Sequence, residues 1–193
     1  MSFYSREELA EFGFKHVGEN VLISKKSSIY NPGNIELGSN VRIDDFCVLS
    51  AGAGGIKIGN YIHIAVYSSI IGAGQVTLSD YCNISSRVAV YSSNDDYSGE
   101  FMTNPMVPSE YTGVSHANVF IGPHAIIGSG SVLLPGITIE TGVAIGALSL
   151  VAKDCEAFTI YAGSPLKKIK DRKRNLLEME KKLNASLFLK SGG

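Results

Sequence analysis

Tryptophan is absent from the chain, and cysteine is nearly so. The three cysteines, Cys47, Cys82 and Cys155, are odd in number and widely spread. They form neither a Cys-x-x-Cys pair nor a disulfide framework. Charge of one sign is also missing: 17 Lys and Arg stand against 18 Asp and Glu, a formal net charge of −1. That balance gives no electrostatic case for nucleic acid or an anionic membrane as a partner. No apolar run approaches the length needed to span a bilayer, so no membrane insertion is expected. Residues Met1 to Glu8 lack the basic-then-apolar layout of a signal peptide, and a cytoplasmic protein is expected. The 193 residues are 45% hydrophobic and 18% charged. This is ordinary globular composition for one domain.

What the chain does have is glycine, 21 residues of it, and a repeat. Aliphatic residues fall six apart at Leu37, Ile43 and Leu49, at Ile58, Ile64 and Ile70, and at Leu78, Ile84 and Val90. The longest set is Ile121, Ile127, Leu133, Ile139, Ile145 and Val151, and Gly often follows the aliphatic. The fourth residue after each aliphatic is usually small or β-branched, and each cysteine occupies such a position. A period of six is the signature of a parallel β-helix, whereas an α-helix would repeat at 3.6. The cysteines therefore read as core fillers.

The step exceeds six at Ile29→Leu37, Leu49→Ile58, Ile70→Leu78 and Val90→Ile121, with two regular steps between breaks. Every third corner takes the insertions. A coil of about three hexapeptides is thus a triangular prism, and all insertions project from one edge. The fold class expected is all-β: a parallel β-helix over residues 21–157, with a protruding loop over 91–120. A short helical cap is expected over 1–20. Residues 158–193 read as an extended segment and a C-terminal helix, the helix over 167–187 and the tail Ser191 to Gly193 frayed.

These hexapeptides, the loop at one corner and the ending Ala162-Gly163-Ser164-Pro165-Leu166-Lys167-Lys168 resemble the left-handed β-helix acyltransferases. The nearest group is the sugar and xenobiotic acetyltransferases, which includes the O-antigen sugar acetyltransferases. The resemblance covers residues 20–170. It implies the left hand of the helix, acetyl-CoA as donor without a metal, and a homotrimer with active sites between neighbouring prisms. It further implies that Gly146, Ala147 and Ser149 contact the pantetheine arm. Lys153, Lys167 and Lys168 would supply cations to the CoA phosphates.

In this family a His stands a few residues into the loop, and here that position is Asp95. The replacement shifts weight from a sugar hydroxyl to an amine acceptor, which is already nucleophilic when neutral. The expected reaction is N-acetylation of a nucleotide-linked amino sugar for surface polysaccharide, with Asp95 as proton acceptor. His116, where the loop returns, is the alternative base, and O-acetylation the alternative reaction. Candidate acceptor-binding residues are Arg87, Asn94, Asp96, Tyr97 and Asn104. A non-catalytic β-helix binding module, and a zinc hydratase using His63, His116 and His124, are the readings from other classes.

Overall fold

The computed structural model describes residues 2–191, with side chains as far as Leu189. Gly192 and Gly193 of the expected tail lie outside that range. Short strands turn a corner after every inward-pointing aliphatic, which produces three flat parallel sheets. The first face stacks Ile35–Leu37, Ile56–Ile58, Val76–Leu78 and Val119–Ile121. The second stacks Val41–Ile43, Ile62–Ile64, Asn83–Ile84, Ile126–Ile127 and Ala144–Ile145. The third stacks Val48–Ala51, Ser69–Gly72, Ala89–Tyr91, Val132–Leu133 and Leu150–Val151. Ile43, Leu49, Ile64, Ile70, Leu78 and Ile84 are fully enclosed between the faces. Cys47, Cys82 and Cys155 lie in the same core, and burial pushes their thiols up to about 11, 12 and 11.

The glycine after the aliphatic has a packing cause. A Cβ on Gly38 would lie 2.6 Å from the Gly59 carbonyl oxygen, and one on Gly128 would lie 2.5 Å from the Ala147 nitrogen. Coils that stack this closely leave no room for a side chain there. Two of the three edges turn through a residue in the left-handed region. These are Tyr61, Tyr81 and His124 between the first and second faces, and Phe46, Tyr67, Arg87 and Leu148 between the second and third. Bulky residues are strained in that conformation. Stacking offsets the strain: ring centroids are 5.1 Å apart for Tyr61–Tyr81, 4.8 Å for Tyr81–His124 and 5.0 Å for Phe46–Tyr67. Such spacings match the distance between hydrogen-bonded strands.

The third edge takes the insertions. Val41 pairs with Ile62, a coil of 21 residues, while Ile126 pairs with Ala144, a coil of 18. The long loop leaves this edge after Tyr91 and returns before Val119.

Both ends of the prism are covered. Helix α1 (Arg6–Glu11) starts at a reciprocal cap, in which Ser5 N donates to Glu8 Oε2 at 2.7 Å and Glu8 N to Ser5 Oγ at 3.2 Å. It buries Leu9. At the other end the structure corrects the expected helix. Lys167–Asp171 is a strand, paired antiparallel with Thr159–Ala162, and helix α2 spans Leu176–Ser191. A strand satisfies the backbone groups left open at the end of the second face, which a helix would leave unpaired. Helix α2 is pinned to the prism by His124 Nε2 to Glu180 Oε2 at 2.8 Å and by the Tyr81 hydroxyl to Asn184 Oδ1 at 3.3 Å. No helix among the described residues is long and apolar enough to cross a membrane.

Gly38→Ala should destabilise the fold by about 1–3 kcal/mol, the usual cost of overpacking. Gly33→Ala is the control, since the nearest atom to its added Cβ is 3.8 Å away. Urea unfolding of the two variants checks this, and equal losses would refute the packing cause. The buried thiols should resist a disulfide reagent at about pH 8 until urea unfolds the chain, because a raised thiol stays protonated there.

Candidate active site at the loop edge

The loop is rooted by a two-residue antiparallel ribbon in which Ser93 faces His116 and Asn94 faces Ser115. Beneath it, buried Ser92 donates its hydroxyl to the Gly74 carbonyl at 2.8 Å. Ser93 Oγ accepts the Ala73 N–H at 2.7 Å and lies 2.8 Å from His116 Nδ1. Asp95 follows directly. Its carboxylate is exposed, and among the described residues it has no protein hydrogen-bond partner. The ribbon thus brings Asn94, Asp95 and His116 together at the loop root.

Asp96 is different. Its carboxylate accepts from the Ser98 hydroxyl at 2.7 Å, and from the backbone N–H groups of Ser98, Gly99 and Phe101 at 3.1, 2.9 and 3.2 Å. The Ser98 bond, followed by that of Phe101, holds the carboxyl down at about 2. This aspartate builds the loop, and its lone pairs are committed to that task. Asn104 is also used internally: it sits at φ +79 and its Oδ1 accepts the Met106 N–H at 3.0 Å. Tyr97 stands out into solvent, 88% exposed.

Arg87 is not at the loop. It occupies the edge between the second and third faces, with its guanidinium 5.8 Å from the centre of the Tyr67 ring. Six residues of extended chain, about 20 Å, separate it from Ser93. That same edge carries the expected donor segment. Leu148 turns the chain at φ +56, is 77% exposed and folds its side chain over Gly130. Ala147 beside it is exposed. Ser149 is buried, and its hydroxyl donates to the Gly146 carbonyl at 2.7 Å and accepts the Gly163 N–H at 2.9 Å. It therefore ties the turn to the Ala162–Gly163 hairpin. A Cβ on Gly146 would lie 2.9 Å from Ala162 Cβ. Lys167 pairs with Ala162 across the hairpin, above this turn.

Lys168 is engaged by Asp171 at 3.3 Å and Glu156 at 3.5 Å, contacts that raise its pKa. Lys153 stands on the loop edge, across the third face from the other donor residues. The exposed turn at Ala147, with Lys167 above it, suits an extended thioester arm ending in phosphates.

Three comparisons bear on this geometry. A dTDP-4-amino-4,6-dideoxy-D-glucose acyltransferase of Escherichia coli is 61% identical over 93% of this chain and 94% of its own length. AntD, an N-acyltransferase from Bacillus cereus solved with dTDP and 3-hydroxybutyryl-CoA, superposes with a TM-score of 0.92. It is 47% identical, over 96% of this chain and 98% of that one. The chain belongs to the hexapeptide-repeat acyltransferase family. A putative lipopolysaccharide biosynthesis O-acetyl transferase of E. coli K12, WbbJ, is a further relative, 31% identical over 74% of each chain. No protein-family model matches the chain.

As an acyltransferase of this family, the chain carries features that spacing alone did not expose. Ser93 is one, because a serine in a loop gives no signal until the ribbon pairs it with His116. A second is a polar cluster on the second face. His63 Nε2 lies 2.9 Å from Asp44 Oδ2 and its Nδ1 lies 3.3 Å from Asn83 Oδ1. Arg42 Nε donates to Asp44 Oδ1 at 2.7 Å. Burial would raise the Asp44 carboxyl, but His63 and Arg42 outweigh it and hold it below the ordinary range. One sequence signal did exist: Arg42, His63 and Asn83 recur at the same outward position of successive coils. The three histidines of the zinc reading are spread apart, with His63 on the second face, His124 at its edge with the first and His116 at the loop root.

Asp96→Asn should raise the rate of proteolytic cleavage within residues 97–114 without moving the melting temperature of the prism. In the wild type the anchor is present above the ordinary aspartate range and is lost only as pH falls through about 2. Limited proteolysis by an acid protease at about pH 3 should therefore still find the loop protected. Unprotected wild-type loop at that pH would contradict the role given to Asp96.

Proposed function

We propose that the chain transfers an acetyl group from acetyl-CoA to the 4-amino group of a dTDP-linked 4-amino-4,6-dideoxy sugar, a precursor for surface polysaccharide. The observation that carries this reading is the likeness, at 61% identity, to an acyltransferase named for a dTDP-linked amino sugar and, at 47%, to an N-acyltransferase solved with dTDP. One of the AntD structures holds dTDP-4-amino-4,6-dideoxyglucose together with coenzyme A. The loop root supports the same reading, since it offers a free carboxylate where a hydroxyl acceptor would call for a stronger base. The neutral amine attacks the thioester carbonyl, and a C–N bond forms. The tetrahedral intermediate expels the thiolate of CoA, breaking the C–S bond. Asp95 takes the proton from the nitrogen and passes it on to solvent or to the leaving sulfur. Asn94 and Tyr97 flank Asp95 and face the acceptor, and Gly146, Ala147 and Lys167 hold the donor.

The chain works as a homotrimer in this proposal. The third face supports it: Tyr30, Val48, Ile71, Tyr91 and Leu150 point outward there, and among the described residues no outward strand position on it is charged. The first face carries Glu36 and Lys57 outward, and the second carries Arg42 and His63. A flat uncharged face fits self-association. Its two margins are the loop edge and the donor edge, so cyclic packing on it brings the loop of one copy to the donor edge of the next. A cytoplasmic location suits substrates of this kind, because charged nucleotide sugars and CoA thioesters do not cross bilayers unaided.

Thiol release from acetyl-CoA should occur with dTDP-4-amino-4,6-dideoxyglucose and not with the counterpart that has a hydroxyl at C4. Comparable rates with both would contradict N-acylation. Asp95→Asn should lower kcat about 100-fold, with the KM for acetyl-CoA unchanged. A near-normal kcat would remove Asp95 from the mechanism.

A further inference from the structure

His116 stands on the ribbon that roots the loop, and its contact with Ser93 bears on what it can do there. Ser93 Oγ accepts the Ala73 N–H at 2.7 Å. Among the described residues, the one protein acceptor in reach of its own proton is His116 Nδ1, at 2.8 Å. A serine hydroxyl has one proton to give and two lone pairs, one of which takes the Ala73 N–H, and a neutral imidazole has one N–H and one lone pair. When the serine proton goes to Nδ1, the ring proton resides on Nε2. Nε2 has no protein partner among the described residues, and His116 is exposed. The ribbon pairing of Ser93 with His116 holds the two side chains in this relation.

We infer that Ser93 is a positioning residue that holds His116 in the Nε2–H tautomer, so that His116 serves the reaction as a hydrogen-bond donor and not as its base. The inference rests on reading the loop root as the acyl-transfer site. In that tautomer the lone pair that would accept a proton faces Ser93, whereas the N–H is left without a protein partner at the loop root. A donor in that position suits an oxygen bearing negative charge. Two such oxygens exist in the proposed reaction: the oxyanion formed from the thioester carbonyl, and the diphosphate of the nucleotide. The loop root then divides the labour, with Asp95 accepting the proton and His116 donating a hydrogen bond. Ser93 is in turn anchored to the coil below through Ala73, so the tautomer is set by the prism and not by the loop tip.

Long-range 1H–15N spectra of the imidazoles in the full-length protein, at about pH 8.5 where imidazoles are neutral, read the tautomer directly. The His116 resonances are assigned by their loss in His116→Gln. The expected spectrum shows Nε2 protonated and Nδ1 bare. Ser93→Ala should move His116 toward a mixture of tautomers, and Ser93→Thr should restore the wild-type pattern. A proton on Nδ1 in the wild type overturns the inference, as does an unchanged spectrum in Ser93→Ala. In turnover, His116→Ala should lose about 100-fold, whereas His116→Gln, whose amide can donate from near the Nε2 position, should lose less than about tenfold. The loss falls on kcat if the target is the oxyanion, and on the KM for the nucleotide sugar if it is the diphosphate. Equal losses for Ala and Gln would mark His116 as a base and overturn the inference. If no nucleotide sugar is acylated at all, the acyl-transfer reading fails, and the tautomer spectrum still upholds or overturns the role of Ser93.

Discussion

Each inner strand of the prism is hydrogen-bonded to the strand one coil above and one coil below, and this stacking constrains everything else in the molecule. A residue added inside a face would break register with both neighbours and turn inward side chains outward. Length can change only at a corner, and two corners are already fixed by stacked left-handed residues. The third corner remains. The Gly52–Gly55 turn, the short turn at Ala73 and the long loop all leave from it. The loop is therefore placed at one edge by the same stacking that builds the core. Its root inherits the rigidity of the coils through Ser92 on Gly74 and Ser93 on Ala73.

On that scaffold the polar groups separate into those consumed by structure and those left for chemistry. Asp96, Asn104, Ser149 and Lys168 all have protein partners, and each holds a turn, a hairpin or an ion pair. Asp95 is free at the loop root. His116 keeps one nitrogen for the protein and one for whatever lies in front of it. A loop one residue out of step would exchange the roles of the two aspartates, since one of them must accept the four bonds that fold the loop. The division between a spent and a free carboxylate is a hydrogen-bond count, and identical residue types side by side cannot reveal it.

This explains how much could be read before the fold was seen. Ile121 to Val151 at six-residue steps gave the β-helix, and the breaks after Ile29, Leu49, Ile70 and Val90 gave the edge that carries the loop. Both rest on periodicity, which is a local property of the chain. Asp95 and the turn at Gly146 were proposed from register and family likeness. Asp96 and Asn104 looked like substrate ligands because Asn and Asp favour turns and binding sites alike. Arg87 is close to the loop in sequence, but a strand carries it across a whole face to the donor edge. The strand at Lys167–Asp171 was hidden because its charged residues satisfy a helical pattern equally well, and only the open end of the second face decides between them. Ser93 was invisible because its meaning depends on His116, more than twenty residues later.

The loop edge and the donor edge lie on opposite margins of one face, so the account stands or falls on whether two copies supply one site. Mixed trimers test this most directly. Asp95→Asn removes the free carboxylate from the loop edge, and Ala147→Glu places a negative side chain on the donor edge. Each variant alone should be nearly inactive with acetyl-CoA and dTDP-4-amino-4,6-dideoxyglucose. Unfolded together at equal amounts and refolded, they should regain about a quarter of the wild-type rate, the share of interfaces that combine an intact loop with an intact donor edge under cyclic symmetry. A mixture as inactive as its components would contradict a site shared between copies.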